Sequence, residues 1–337
     1  MEILVVGAGL SGATIARVLA DNGYTITLIE RRDHVAGNAF DFINSHGIRI
    51  HKYGPHLFHT SDAKVVGFLS RFTEWIPYQH RVKAKLEDGR LVTLPVNRET
   101  AHIVGEENIL DVFYRPYTKK MWGVDMEELD SSVLQRVEVR SDLNDLYFPS
   151  DSFQALPAAG YTSLVEEMLK HRSIKVQLCR EFETGMEREF GHTFNSMSID
   201  EYFGAYNGLL PYRSMKFHHY DIPIPNIFPV AVVNFTHSER FTRATEWKNF
   251  PGHGLSEGWT SITVEEPCDF RDNDFERYYP VKDSDGCNRA LYQKYNAMVP
   301  PNMTFIGRCG LYVYLDMHQA VSSALATANR FKSKNPV

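Results

Sequence analysis

The chain has 337 residues, 43% of them hydrophobic, which fits two or three domains around a substantial core. Its net charge of −6 comes from interspersed acids and bases, which excludes a basic nucleic-acid footprint and a polybasic membrane patch. No apolar run reaches bilayer-spanning length and no charged-then-apolar leader precedes the first strand. Four widely spaced cysteines (Cys179, Cys268, Cys287, Cys309) read as free thiols, so a cytoplasmic protein is expected.

Glu2 to Val6 is a short apolar run that breaks into Gly7-Ala8-Gly9-Leu10-Ser11-Gly12. A helix follows with Leu10, Ala13, Ile15, Ala16 and Leu19 as apolar positions, then a strand from Tyr24 to Ile29 ending in Glu30. Strand, glycine turn, helix, strand and acid form the dinucleotide fingerprint, with the acid about 20 residues past the glycines. Gly7 permits the tight turn, Gly9 lets backbone approach a pyrophosphate, and Gly12 allows close helix–strand packing. The helix N-terminus offers N–H groups to the anion, and Glu30 can accept from a ribose hydroxyl. Val35-Ala36-Gly37-Asn38 is a second small-residue segment just past the acid. Nicotinamide enzymes usually enter another βαβ unit here, whereas flavoproteins place such a loop against the flavin end of FAD. FAD is therefore favoured.

Further along, His56 and His59 lie three apart, but Gly54-Pro55 before them argues against a helical ligand pair, and no metal is expected. Residues 80–95 read as a hairpin turning at Glu87-Asp88-Gly89-Arg90, and 100–140 carry a helical period. Gly160 to His171 reads as a helix, followed by strands at Ile174 to Leu178 and near Phe194. Residues 212–282 are strand-rich and aromatic. Met303 to Ile306 is a strand, Gly307-Arg308 begins a loop, and a closing helix carries Met317, Ala320, Val321, Ala324, Ala328 and Phe331 on one stripe. The expected fold is α/β: a Rossmann-like FAD-binding domain (1–75, 155–204 and 283–337), a small helical insert (98–148), and a mostly antiparallel β-sheet domain (76–97 and 205–282) that binds substrate.

Tyr117, Trp122, Arg136, Tyr147, Arg243, Tyr279, Tyr314 and Asp316 recur beside turn residues rather than in apolar periods. Arginine forks suit phosphate oxygens, tyrosine hydroxyls add neutral donors, and an aromatic face can stack a base. The set fits a diphosphate-linked substrate, although each member alone also has an ordinary packing or surface explanation.

The runs His51 to Thr60, Tyr117 to Gly123, Gly160-Tyr161-Thr162, Tyr212 to Phe217, Asn234-Phe235-Thr236, Tyr278 to Val281, and Gly307-Arg308 through Met317 together resemble the UDP-galactopyranose mutase family, in the same order along almost the whole chain. The resemblance implies an FAD isomerase, active with reduced flavin, that contracts UDP-galactopyranose to UDP-galactofuranose by attack of flavin N5 on the anomeric carbon. By resemblance, Arg136 and Arg243 grip the diphosphate, helped by Tyr147, Tyr279 and Tyr314. Tyr117 stacks on uracil and Trp122 closes the cleft. Arg136, Arg243, His59, Tyr279 and Tyr314 are the expected catalytic residues. The cofactor is expected on Gly7, Gly9, Ser11, Gly12, Glu30, Arg31, Asn38, His56, His59, Arg308, Tyr314, Asp316 and Met317, with the positive end of the closing helix facing the flavin. A reductant such as NAD(P)H or a flavin reductase is implied as partner, with no nucleic acid and no membrane.

Two departures stand out. Between Leu94 to Asn97 and His102 to Glu106 the family usually carries a few dozen further helical residues, and that domain commonly contributes to dimer contacts. A homodimer is therefore left open. At Asn195 to Asp200 the family usually has Thr-Gly-Pro before Ile-Asp, so FAD packing is expected to differ there. Other readings are the same contraction on UDP-arabinopyranose, UDP-N-acetylgalactosamine or a deoxysugar nucleotide, an amine-oxidase-type FAD oxidoreductase, and a UDP-sugar binding protein without activity.

Overall fold

The computed structural model describes residues 1–128 and 139–336. In chain order the strands are β1 (Glu2–Val6), β2 (Thr25–Ile29), β3 (Asp41–Ile43), β4 (Arg49–His51), β5 (Phe58–Thr60), β6 (Trp75–Pro77), β7 (Val82–Lys85), β8 (Leu91–Leu94) and β9 (Phe153–Pro157). They continue as β10 (Ile174–Gln177), β11 (His192–Asn195), β12 (Tyr212–Ile222), β13 (Val232–Phe235), β14 (Arg243–Glu246), β15 (Thr260–Asp269), β16 (Tyr279–Pro280) and β17 (Met303–Phe305). The helices used below are α1 (Leu10–Ala20), α2 (Ala63–Leu69), α3 (Arg98–Val104), α4 (Arg115–Trp122), α5 (Gly160–Leu169), α6 (Ile199–Tyr202), α7 (Cys287–Asn296), α8 (Gly307–Gly310) and α9 (Met317–Lys334).

β1 is apolar on both faces, which a strand tolerates only when helices cover both sides of its sheet. It lies at the centre of a five-stranded sheet in the order β10-β2-β1-β11-β17, parallel throughout. α1 packs against α9 and α5 over this sheet. The strand order reverses between β1 and β11, and ligands of such sheets bind beyond the carboxyl ends of the strands at that crevice. A second, seven-stranded sheet runs β16-β12-β15-β14-β13-β7-β8. Its pairings are antiparallel except β7 on β13, which brings the hairpin at 82–94 to the edge of the strand-rich region. Two small sheets, β3-β4 and β5-β9-β6, connect these bodies.

The helical period over 100–140 does not form one helix. Gly105 turns the chain at φ 88 after α3, and the chain is helical again from Ile109 to Trp122, as a π-helical turn (Leu110–Tyr114) that leads directly into α4 with Pro116 in its first turn. The loop expected from Gly307 opens as the one-turn helix α8. α2 and α7 had no sequence expectation; α7 buries only Tyr292 and Tyr295, too few apolar positions for a periodic stripe. None of the four cysteines is in a disulfide, and among the described residues no helix is long and apolar enough to cross a membrane.

Gly12 shows how tightly the first turn is built. A Cβ there would fall 1.9 Å from the Gly7 carbonyl oxygen. Gly12→Ala should therefore destabilise the protein by about 1–3 kcal/mol through overpacking against backbone. Urea unfolding checks this, and an unchanged midpoint would remove the packing role.

Candidate active site

At the switch point a cavity of about 260 Å³ opens between Val6, Gly7, Gly9, Glu30, Arg31 and Asn38 on one side and Ser196, Met197, Glu276 and Arg277 on the other. Gly7 takes φ 97, a conformation that favours glycine, while its N–H donates to the Ile29 carbonyl at 2.8 Å. The two small-residue turns meet: a Cβ on Gly37 would lie 3.0 Å from the Gly9 Cα, leaving backbone rather than side chains against the crevice. Glu30 Oε2 accepts from the Ala8 N–H at 2.8 Å and Oε1 from the Arg32 N–H at 3.0 Å. Each carboxylate oxygen keeps a second lone pair for a ribose hydroxyl. This backbone cradle, with a buried carboxylate at its end, fits a dinucleotide.

The departure at 195–200 falls directly on this crevice. Ser196 Oγ donates to the Val6 carbonyl at 2.7 Å, and a Cβ on Gly7 would sit 2.0 Å from that hydroxyl oxygen. The serine thus occupies space beside the turn while capping an end-of-strand carbonyl. Arg31 Nη2 pairs with Glu276 Oε2 at 2.7 Å, and Arg32 pairs with the other oxygen of the same carboxylate. Arg32 also donates to Asn38 Oδ1 at 3.0 Å. Glu276 and two arginines therefore bridge the rim. Ser11 Oγ reaches the Ala320 carbonyl at 3.4 Å, so the N-terminal ends of α1 and α9 converge. Asp316 caps α9 in a reciprocal box with Gln319, and Met317 is the first helical residue. The box satisfies one N–H of that end, so the anion-attracting terminus is narrower than the sequence suggests.

The second half of the site is a cleft centred on Arg243. Its Nε donates to Glu265 Oε1 at 2.7 Å from directly across the β14–β15 pair, and the Glu265 side chain is 2% exposed. Burial pushes the Glu265 carboxyl up, and the adjacent guanidinium partly offsets this. For Arg243 burial is the largest single effect and opposes the charge, but Glu265 together with Tyr117 and Tyr279 outweighs it and holds the arginine protonated. The field of Arg243 reaches Tyr117, Tyr147, Tyr278, Tyr279 and His56. Burial raises the hydroxyl pKa of Tyr117, Tyr147, Tyr278 and Tyr279, so all four remain protonated donors at neutral pH. The Tyr279 and Tyr314 rings stack at 5.6 Å, and the Arg308 guanidinium lies 5.3 Å and 4.9 Å from their centroids. Arg308 is fixed from behind by the Leu315 carbonyl at 2.8 Å. Trp122 packs 6.2 Å from Tyr279, inside a cluster with Met121, Tyr117, Phe217 and Tyr53.

His56 donates from Nδ1 to the Gly54 carbonyl at 2.8 Å, and burial pushes its pKa down to about 4. His59 lies on another wall, with Nδ1 2.6 Å from Asp151 Oδ2 and its ring stacked 3.5 Å from Phe148. His80 sits between this wall and Arg243, also pushed down by burial, to about 3. A larger open cleft of about 1120 Å³, between Tyr78, Gln79, Arg81 and the Phe250–Leu255 turn, contains none of the expected site residues. It meets the His59 and His80 wall through Asp151, Gln154 and Tyr78.

The expected residues thus fall into two neighbouring groups: Gly7, Gly9, Ser11, Gly12, Glu30, Arg31 and Asn38 at the crevice, and Tyr117, Trp122, Tyr147, Arg243, Tyr279, Tyr314, His56 and Arg308 around the cleft. Arg136 lies outside the described residues. Glu265, Lys120, Asp151 and Asn234 were missed. Glu265 carried no signal: Ser261, Thr263 and Glu265 form the polar phase of a strand alternation opposite Ile262 and Val264, which reads as the outward face, yet it is the buried one. Asn234 is paired in register with Arg243 and its Oδ1 is buried without a partner in the protein. Lys120 and Asn234 lie within runs noted for the resemblance but were given no role, and Asp151 carried no signal, because its partner His59 is distant in sequence.

A parallel sheet with its glycine crevice, joined to an antiparallel sheet bearing an arginine–tyrosine cleft, defines a Rossmann-type dinucleotide-binding protein with a second, β-sheet domain. A family model described as UDP-galactopyranose mutase matches residues 112–314, and one described as an NAD(P)-binding Rossmann-like domain matches 5–72. The chain belongs to the UDP-galactopyranose mutase family. A Klebsiella pneumoniae protein described as a probable UDP-galactopyranose mutase is 33% identical over 375 residues, covering 98% of this chain and 95% of its own. That alignment exceeds the 337 residues of the chain, so the relative carries residues this chain lacks. An Escherichia coli dTDP-fucopyranose mutase is 30% identical, with 99% of each chain covered. The crystal structure of a reduced UDP-galactopyranose mutase is similar in fold, with a TM-score of 0.77 at 15% identity over 99% of this chain and 94% of that one.

Burial holds His56, His192 and His253 near 4, His80 near 3, and His51 well below its ordinary 6.5. Between pH 6.5 and about 4 the unfolded chain binds protons that the folded chain refuses, so stability falls as pH drops through that window. Urea midpoints measured from pH 7 to 4.5 should decline with a slope of more than one proton. A flat profile would contradict neutral burial of these rings.

Proposed function

We propose that this chain interconverts the pyranose and furanose forms of a nucleotide sugar, with UDP-galactopyranose as substrate and FAD as cofactor. The reading is carried by Arg243, a charged guanidinium fixed by a buried carboxylate in a cleft walled by protonated tyrosines, beside a dinucleotide crevice. Such a cleft favours an anion that is both released and recaptured. Bound in its reduced form, the flavin supplies an electron-rich N5 for the anomeric carbon, and the isomerisation ends without net redox change.

The chain's own residues do the rest. Gly7, Gly9 and Ser11 present backbone and the α1 N-terminus to the cofactor pyrophosphate, while Glu30 accepts from its ribose. Tyr117 offers its ring to the substrate base, and Trp122 covers the same side. Arg243, with Arg136 on the sequence expectation, binds the diphosphate. Tyr147, Tyr279 and Tyr314 donate to its oxygens, stabilising the charge that develops as the glycosidic C–O bond breaks. Because the same groups keep hold of the expelled nucleotide, its return is effectively intramolecular. Asp151 holds His59 in one ring orientation, with Nε2 free of that contact. An external reductant, NAD(P)H or a flavin reductase, completes the scheme.

The direct test incubates dithionite-reduced, FAD-loaded protein with UDP-galactopyranose and separates the products by chromatography. UDP-galactofuranose is the expected product. Conversion of dTDP-fucopyranose in its place would select the second reading, which the E. coli relative motivates. Binding without conversion would leave a sugar-nucleotide binding protein, and peroxide formation would indicate an oxidoreductase.

Arg243→Ala should lower kcat/KM by about 100-fold or more with cofactor content unchanged, as expected for loss of a fixed donor to a leaving group. Glu265→Gln removes the charge that aims Arg243 and should cost between about 10- and 100-fold. Steady-state kinetics with flavin absorbance as the loading control measures both; near-normal rates in either variant would contradict the phosphate role.

A further inference from the structure

α4, the helix that brings Tyr117 and Trp122 to the cleft, buries only Thr118 and Met121 of its eight residues. Its N-terminal end runs on without a break from the π-helical turn Leu110–Tyr114, whose buried Phe113 and Tyr114 anchor it in the core. Two cations hold its C-terminal end. Lys120 Nζ donates to the carbonyls of Phe235 at 2.8 Å, His237 at 2.7 Å and Phe241 at 3.0 Å, so all three ammonium hydrogens meet backbone acceptors of the β13–β14 turn. Arg213 of β12 caps the other side, donating from Nε to the Met121 carbonyl at 2.9 Å and from Nη2 to the Lys120 carbonyl at 3.1 Å. Gly123 ends the helix at φ 75, and a Cβ there would come within 3.0 Å of Arg213 Nη1.

The turn that Lys120 grips leads straight into Arg243. The Phe235 N–H donates to the Thr242 carbonyl at 2.8 Å, and the Thr242 N–H donates to the Glu265 carbonyl at 3.0 Å. One ammonium therefore joins the segment carrying the aromatic pair to the segment carrying the guanidinium. We propose that Lys120 is a positioning residue for nucleotide binding, fastening the helix of Tyr117 and Trp122 to the turn before Arg243 so that base and diphosphate contacts keep one spacing. Burial pushes the Lys120 ammonium down to about 8, against the pull of Glu239 in the same turn. A charge kept in such a place needs its three carbonyls, and they need it: without the ammonium they are left short of donors. An arginine is a poor substitute, since a planar fork cannot converge on three acceptors around one point.

This inference rests on the nucleotide-sugar reading, and UDP binding to FAD-loaded protein separates the two. By titration calorimetry, Lys120→Met should bind UDP about 10-fold or more weakly than the parent. In turnover the same factor should appear in KM, with kcat at saturation within about 3-fold, because a spacing defect weakens ground and transition states alike. Should the methionine variant fail to fold, Lys120→Gln, which keeps two donors, should show the same split with a smaller loss. UDP affinity within about 2-fold of the parent, or a loss confined to kcat, would overturn the positioning role. A parent protein that does not bind UDP would overturn the functional reading and this proposal with it.

Discussion

The Arg243–Glu265 pair is the constraint around which the cleft is organised. A carboxylate that is 2% exposed cannot remain charged without a partner, and β14–β15 register places a guanidinium directly opposite it. Glu265 is also confined from the other side. A Cβ on Gly54 would lie 3.1 Å from Glu265 Oε1 and 2.8 Å from the Phe217 ring, so the His51–Thr60 loop can pass only as glycine. The loop that presents His56 is therefore packed on the same carboxylate that aims Arg243. Removing the acid would release the arginine and the loop together, whereas removing the arginine would leave a buried charge uncompensated.

That arrangement also accounts for the tyrosines. For the proposed diphosphate contacts the hydroxyls have to stay protonated, and burial raises the pKa of Tyr117, Tyr147 and Tyr279 in that direction although Arg243 pulls the other way. Arg308 supplies a second positive plane behind Tyr279 and Tyr314, fixed by backbone carbonyls rather than by a carboxylate. Its charge is thus less fully neutralised than that of an arginine held in an ion pair. Arg308 and the hydroxyl donors around Arg243 form a combination consistent with the diphosphate contacts proposed above.

The first thirty residues were legible because their chemistry is local: glycine conformations, a helix N-terminus and an acid at fixed spacing need no knowledge of the rest of the chain. The aromatic and arginine motifs were legible as a set, through resemblance, but not as a geometry. The ion pair of Arg243 depends on the register of two strands, and the Lys120 clamp joins residues more than a hundred positions apart. β5 and β6 meet through β9, and β7 pairs in parallel with β13, contacts that periodicity cannot announce. Among the described residues, the helical period of 100–140 is broken at Gly105, whose backbone turns the chain, and resumes from Ile109 to Trp122. Ser196 was flagged as a departure, and its consequence, a hydroxyl pressed against Gly7, emerged only with β1 and β11 side by side.

The histidines show how a loop without regular structure is held still. His51 Nδ1 accepts from the His56 N–H at 3.0 Å, so its proton must sit on Nε2, which points at His253 Nε2 3.1 Å away. His253 must then accept there and carry its own proton on Nδ1, facing the Pro251 carbonyl at 3.2 Å. Only one pair of tautomers satisfies this chain, and protonating either ring would set two donors against each other. Burial keeps both rings neutral, so the chain of donors runs one way, from the His56 backbone to the Phe250–Leu255 turn. His56 spends its Nδ1 proton on Gly54 and is left with a bare Nε2. A neutral ring beside two arginines is what burial and the local charges favour, since a charged imidazole would be desolvated and repelled by both guanidinium groups.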